Sequence, residues 1–264
     1  AARRIYARVM DEWYDAESPE SKRLKFHTQT AGQSLTAQQP LNNIVRVTIQ
    51  ALAGVLGGTQ SLHTNSFDEA MALPSEEAVR VALRTQQIIA EESGAADSVD
   101  PLAGSFMVES LTDEVAEETM AYIEEIKEMG DGSVRDGVLD GIEEGYFHRE
   151  IQESSYEYQE RVEDGEEVVV GVNKYSSDED TETDLLHVSD EVQERQLARL
   201  EEVKAERDEE AVEAALDELR ETIENEENVM PVLVDAVKAY ATMGEIMDVF
   251  EAKYGAYREK IGLA

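Results

Sequence analysis

Cysteine is absent from the 264 residues, and basic side chains are scarce, 23 against 60 acidic ones. The first absence excludes a disulfide scaffold, a cysteine-ligated zinc or iron–sulfur site and thiol chemistry. The second leaves a formal net charge of −37, whose field repels a polyanion and argues against a nucleic-acid binder held by phosphate contacts. No apolar stretch reaches the roughly 20 residues of a membrane span, and no charged-then-apolar leader precedes a cleavage site. A soluble cytoplasmic protein without a membrane or nucleic-acid partner is expected. What is present is a 41% share of hydrophobic residues, enough for one large core or two smaller ones. The acidity therefore decorates a globular protein and does not signal disorder.

The charge is unevenly placed. Residues 1–100 hold 9 basic and 13 acidic groups, whereas residues 101–264 hold 14 and 47, so nearly all the excess falls on the later part. Carboxylates spread over helices with few lysines form a solvated face and suggest a halophilic, high-salt setting, where screening removes most self-repulsion. The other reading is an acidic partner-binding surface. The near-neutral first hundred residues are rich in Gln, Asn, Thr, Ser and Gly, a composition suited to packed backbone and a polar site.

Periodicity places a helix at the start, with Ile5, Val9 and Trp13 on one stripe and no cap before Ala1, so the chain is expected to begin inside an element. Period-2 alternation predicts a strand over Arg23–His27, and a second over Thr59–His63. Between them, Leu41, Ile44, Val45, Ile49, Leu52, Val55 and Leu56 mark a helix closed by Gly57-Gly58. A short helix is expected after Ser66, a long one from Ser75 to Gly94, a third short strand within Asp97–Pro101, and a helix capped by Thr112. This βα rhythm argues for parallel strands covered by helices. Beyond Gly130 it stops. Helices follow near 133–144 and 148–163, then a short strand near 168–172, an exposed loop over 176–184, and three or four amphipathic helices. One carries Val212, Ala215, Leu216, Leu219 and Ile223, and the last opens on a Thr242/Glu245 capping box. The expected domains are 1–130 and a helical extension, 131–264. Two or three βα units cannot close a barrel of eight strands, so residues 1–130 are either a small doubly wound sheet or part of a larger barrel. The uncapped beginning favours the barrel.

Chemistry points to the strand ends. Alternation puts Lys25, His27 and Gln29 on one face, opposite Leu24 and Phe26. The second strand repeats the pattern with Gln60, Ser61, His63, Thr64 and Asn65, where a parallel α/β fold holds its ligand. Hydrogen-bonded capping clusters would account equally for both tips. Ser66 and Glu69 have capping-box spacing, so Glu69 either satisfies a helix start or accepts hydroxyls from a sugar. No dinucleotide fingerprint, P-loop, H-E-x-x-H or G-x-S-x-G motif occurs. His27, His63, His148 and His187 are too scattered to propose a metal site, and Ser61 with His63 lacks an orienting acid for nucleophilic catalysis.

Longer runs carry a resemblance. His27-Thr28-Gln29-Thr30-Ala31-Gly32, Ser34-Leu35-Thr36-Ala37-Gln38, Asn42-Asn43-Ile44-Val45-Arg46 and above all Gly58 through Ala70 resemble the large subunit of methylmalonyl-CoA mutase. So do Arg84-Thr85-Gln86-Gln87, Glu91-Glu92-Ser93-Gly94, Asp100-Pro101, Gly104-Ser105 and Gly171-Val172-Asn173-Lys174-Tyr175. The resemblance covers nearly the whole chain. It implies an adenosylcobalamin-dependent radical isomerase on a (β/α)8 TIM barrel, interconverting methylmalonyl-CoA and succinyl-CoA. The cofactor would carry the hard chemistry while the protein positions it and keeps water away.

On the matching positions, His27, Gln29, Gln60 and Ser61 are expected to bind the acyl group and orient it under the corrinoid. Lys25 stands where arginine is usual, which keeps the charge but loses the planar fork. Glu69, Ala70 and Leu73 are expected to line the adenosyl group. The resemblance places no catalytic residue in this segment, because the family's amino-terminal barrel half has no counterpart here. No D-x-H-x-x-G motif occurs either, so the lower cobalt ligand is expected from a separate cobalamin-binding domain or subunit. The expectation is thus a partial large subunit, inactive alone and partnered by acyl-CoA, the rest of the barrel and that cobalamin carrier. The alternatives are a non-catalytic remnant or assembly module of the same family, or a mutase for isobutyryl-CoA or ethylmalonyl-CoA.

Overall fold

A computed structural model describes residues 1–177 and 185–256. It is a mostly helical α/β structure whose sheet has two parallel strands. The chain divides after Leu186 into two compact units. No helix among the described residues is long and apolar enough to cross a membrane.

In the first unit, helix α1 (Ala2–Glu12) leads into β1 (His27–Gln29), then α2 (Asn42–Leu56), then β2 (Ser61–His63). The register is His27↔Ser61, Thr28↔Leu62 and Gln29↔His63. The alternation read from the sequence holds, with Lys25, His27 and Gln29 exposed and Phe26 and Thr28 partly buried. The bounds differ. Both strands are shorter than expected, because a strand lasts only while its neighbour offers partners. The ladder opens where Gln60 N–H donates to Phe26 O and closes where Thr30 N–H donates to His63 O. Arg3 ties α1 to this frame, donating to Gly57 O at 2.9 Å and to Gly58 O, with its guanidinium over the Phe26 ring. A cation at those carbonyls also suits the negative end of the α2 dipole.

Three further expectations are corrected. The segment after Ser66 is a turn and not a helix: Met71 and Ala72 N–H both converge on Asp68 O. Pro74 ends any helical tendency there, since the residue before a proline is pushed out of the α region. No third strand forms over Asp97–Pro101, where Val99 is 96% exposed and the backbone turns repeatedly. Thr112 caps nothing. It lies within α4 (Phe106–Met129), its hydroxyl donating to Val108 O.

Helix α3 (Glu76–Glu92) starts as expected, with Ser75 Oγ accepting Ala78 N–H, and ends before Gly94. Helices α4 and α5 (Val134–Glu143) cross in close backbone contact: a Cβ on Gly137 would lie 1.7 Å from Ile126 O, so only glycine fits. This crossing spans the expected boundary at 130. After α6 (Tyr146–Glu163), the strand expected at 168–172 is instead a tight turn. A single bridge pairs Val170 with Lys174, and Gly171 takes φ +85. Of the expected loop over 176–184, residues 178–184 lie outside the described residues.

The second unit contains α7 (Asp190–Glu206), α8 (Glu209–Glu224), α9 (Met230–Lys238) and α10 (Met243–Tyr254). Its core is Leu219, Ile223, Val232, Ala236, Ile246 and Val249. The predicted Thr242/Glu245 capping box is present. Arg207, at the α7–α8 junction, donates to both Glu245 oxygens at 2.7 and 2.8 Å, to Glu209 and to Tyr240 O. The Arg207 guanidinium holds the Glu245 carboxyl well below the usual carboxylate range, with the Thr242 bonds adding to the effect.

Candidate functional site

Parallel pairing brings the two short polar strands side by side, with His27 and Ser61 as the first pair of the ladder. His27 Nδ1 and Ser61 Oγ are 2.7 Å apart across the sheet, and Gln29 is paired in register with His63, both exposed. Lys25 is exposed and precedes the ladder. Gln60 immediately precedes β2, whose first residue is Ser61. Its Oε1 accepts Phe26 N–H at 2.9 Å and its Nε2 donates to Gly58 O at 3.0 Å. Both ends of that amide therefore fasten the start of the sheet.

Beyond the carboxyl ends of the strands, a network of mostly uncharged groups shapes the loops. Thr30 Oγ1 donates to Asn65 Oδ1 at 2.6 Å and accepts Asn65 N–H at 2.9 Å. Thr64 Oγ1 donates to Ala82 O, fixing β2 to α3. Gln50 Oε1 accepts Ala31 N–H, and its Nε2 donates to Ser34 Oγ, which holds the 3-10 turn Gly32–Ser34. Fully buried Asn43 bonds four groups: its Nδ2 donates to Thr36 O and Phe67 O, and its Oδ1 accepts Thr36 N–H and the Arg46 guanidinium. Asn43 thus joins the loop after β1 to the loop after β2.

That second loop carries Glu69, Ala70 and Leu73. Glu69 and Ala70 are exposed, and Leu73 is 63% exposed. The loop is anchored by fully buried Asp68, whose Oδ2 accepts Ser75 N–H at 2.8 Å. Since no helix follows Ser66, Glu69 has no helix start to cap, and its carboxylate lies elsewhere. A Cβ placed on Gly32 would stand 3.0 Å from Asn65 Nδ2 and 3.3 Å from Glu69 Oε1. The bare Gly32 backbone, an amide donor and a carboxylate acceptor therefore share one recess at the strand tips.

An amide donor and a carboxylate acceptor beside a side-chain-free backbone can bond two hydroxyls of one ligand. Gly32 and Asn43 were not singled out as site residues by the sequence. A glycine three residues past a strand tip is a signal for close backbone approach, and it could have flagged Gly32. Nothing local distinguishes Asn43. Among the described residues no three His, Asp or Glu side chains are placed to hold a metal ion.

Residues 1–256 match the family model described as methylmalonyl-CoA mutase. A 2-hydroxyisobutanoyl-CoA mutase large subunit from Aquincola tertiaricarbonis is 46% identical over 98% of this chain and 45% of its own length. A methylmalonyl-CoA mutase from Escherichia coli (strain K12) is 44% identical over 97% of this chain and 35% of its own length. One from Rhizobium meliloti (strain 1021) is 42% identical over 97% and 35%. The chain spans less than half the length of these relatives.

Proposed function

This chain belongs to the methylmalonyl-CoA mutase family, and we propose that it supplies part of the substrate and cofactor surface of an adenosylcobalamin-dependent acyl-CoA mutase. The observation that carries this reading is a pair of polar parallel strands followed by a loop that returns to the first of them: His27 and Ser61 meet across β1 and β2, and Asn65 and Glu69 each approach Gly32. When bound, adenosylcobalamin would supply the radical needed for a carbon-skeleton rearrangement.

The roles proposed for the chain's own residues are these. His27, Gln29 and Ser61 present ring, amide and hydroxyl groups to the acyl portion of the thioester, and Lys25 adds a positive charge. Gln60 supports them from below by fastening the sheet start. Glu69 accepts from a sugar hydroxyl of the adenosyl group, and Ala70 and Leu73 give that group an apolar border. The loops held by Asn43 and Asp68 keep these groups in place with little reorganisation on binding, which favours reactive alignment.

The rearranged acyl group is proposed to be methylmalonyl, with succinyl-CoA as the product or substrate. The similarity to a 2-hydroxyisobutanoyl-CoA mutase and to methylmalonyl-CoA mutases is nearly equal, at 46% and 44%. Other short branched acyl-CoA thioesters are therefore assayed in parallel. The experiment combines the chain with the remaining barrel segment and a cobalamin-binding domain or subunit, adds succinyl-CoA and adenosylcobalamin, and follows methylmalonyl-CoA. Turnover that requires this chain supports the reading. No turnover on succinyl-, isobutyryl-, ethylmalonyl- or 2-hydroxyisobutanoyl-CoA with all parts present rejects it.

A further inference from the structure

Thr30 sits one residue past β1 and is 4% exposed; Asn65, which it contacts, is 3% exposed. The threonine hydroxyl makes both of its hydrogen bonds to that one residue. Its Oγ1 accepts Asn65 N–H at 2.9 Å and donates to the Asn65 side-chain carbonyl at 2.6 Å. A hydroxyl carries a single hydrogen. With the backbone N–H already aimed at Oγ1, that hydrogen needs an acceptor, and the side chain of Asn65 is the group that offers one. Turning the Asn65 amide over would face its NH2 toward an oxygen that already accepts. The threonine hydrogen would then be left unpaired in a buried place, which is unfavourable.

The orientation has a consequence on the other side of the amide. With its oxygen held by Thr30, Asn65 presents Nδ2 to the recess, 3.0 Å from where a Cβ of Gly32 would lie. We infer that Thr30 is a positioning residue that fixes the Asn65 amide so that an N–H donor, and not a carbonyl, faces the Gly32–Glu69 recess. Donor and carboxylate acceptor side by side complement a vicinal diol, in which one hydroxyl accepts and the other donates. A reversed amide would offer two acceptors and lose that match. The ligand assignment rests on the proposed adenosyl site; the amide orientation does not.

The test uses the full chain with asparagine selectively labelled with nitrogen-15, as wild type, Thr30→Val and Thr30→Ser. In the wild type, the Asn65 side-chain amide protons are expected to show cross-relaxation to the Gly32 α-protons. The same contact persists in Thr30→Ser, which keeps the hydroxyl, and is averaged away in Thr30→Val. Absence of the contact in the wild type, or its full retention in Thr30→Val, overturns the inference. If Thr30→Val does not fold, the wild type and Thr30→Ser spectra still decide the orientation.

A second arm titrates 5′-deoxyadenosine. Thr30→Val is expected to weaken binding about tenfold and Thr30→Ser less than about threefold, the scale of one oriented hydrogen bond. Wild-type affinity in a Thr30→Val chain whose amide is no longer fixed overturns the positioning role. If the wild type does not distinguish 5′-deoxyadenosine from its 2′,3′-dideoxy analogue, the sugar reading fails, while the spectra alone still decide whether Thr30 orients the amide.

Discussion

The loops around the strand tips and the helical unit from His187 are held together by different physics. Around the tips, buried polar side chains are mostly neutral: Thr30, Asn43, Thr64 and Asn65, each bonded to its neighbours. The helical unit relies on aliphatic contacts among Leu219, Ile223, Val232 and Val249, closed by one ionic clamp, Arg207 with Glu245 and Glu209. Neutral networks fix direction without a field of their own, which suits a recess that must align a ligand. A charged clamp on a strongly acidic chain holds position but responds to pH and salt.

The largest expected effect breaks the helical unit through its core. Leu219 is fully buried, so Leu219→Ala removes its contacts and leaves a cavity, at about 3 kcal/mol. Urea unfolding followed by circular dichroism is expected to show an early transition for that unit, with the strand-tip region unaffected. A single shifted transition for the whole chain would show that the two regions are not independent.

The matching change in the other region is Asn43→Ala. It strips partners from Thr36 N–H, Thr36 O and Phe67 O at once, at about 2 kcal/mol given typical costs for buried unpaired groups. Hydrogen exchange is expected to rise over residues 30–43 and 64–75. Exchange confined to the loop before α2 would mean that Asn43 does not join the two loops.

A smaller effect separates the regions by pH. The Glu245 carboxyl is depressed in the folded chain, chiefly by its bonds from Arg207. Its contribution is therefore complete above the unfolded carboxylate range, near pH 4, and fades as pH falls through the folded value. The melting temperature of the helical unit should drop on acidification below pH 4. Arg207→Met should lower that temperature at pH 7, on the order of 5 °C for a unit this size, and flatten the acid dependence. An unchanged acid profile in Arg207→Met would show that the clamp does not set the acid stability of this unit.

The same contrast explains what the sequence could and could not reveal. Short-range patterns were legible: the Thr242/Glu245 box, the start of α3 near Ser75, the stripe of α8 and the alternate exposure of Lys25, His27 and Gln29 all depend on neighbours in the chain. Strand ends were not, because β1 stops where β2 stops offering partners. The bond from Phe26 N–H to the Gln60 side chain was equally hidden, since it joins residues 34 apart in sequence. Glu69 was readable only as an alternative. Pro74 held the local cue that no helix follows Ser66, but the recess that Glu69 shares with Gly32 is a long-range fact.

The smallest effect on stability is expected at that recess. In Gly32→Ala the new methyl would lie 3.0 Å from Asn65 Nδ2 and 3.3 Å from Glu69 Oε1, close enough that one side chain must shift by a few tenths of an ångström. Exposed Glu69 can move at little cost, but the Asn65 amide is nearer and is held by Thr30, so unfolding free energy should fall by about 1 kcal/mol, partly offset by the lower chain entropy of alanine. Ligand alignment cannot absorb the same shift. Affinity for 5′-deoxyadenosine, read by isothermal titration, should fall at least about tenfold, because the methyl occupies the bare backbone face and moves the acceptor. A much larger loss of stability together with loss of binding would make Gly32 a folding residue, whereas unchanged binding would place the sugar outside the recess between Asn65 and Glu69.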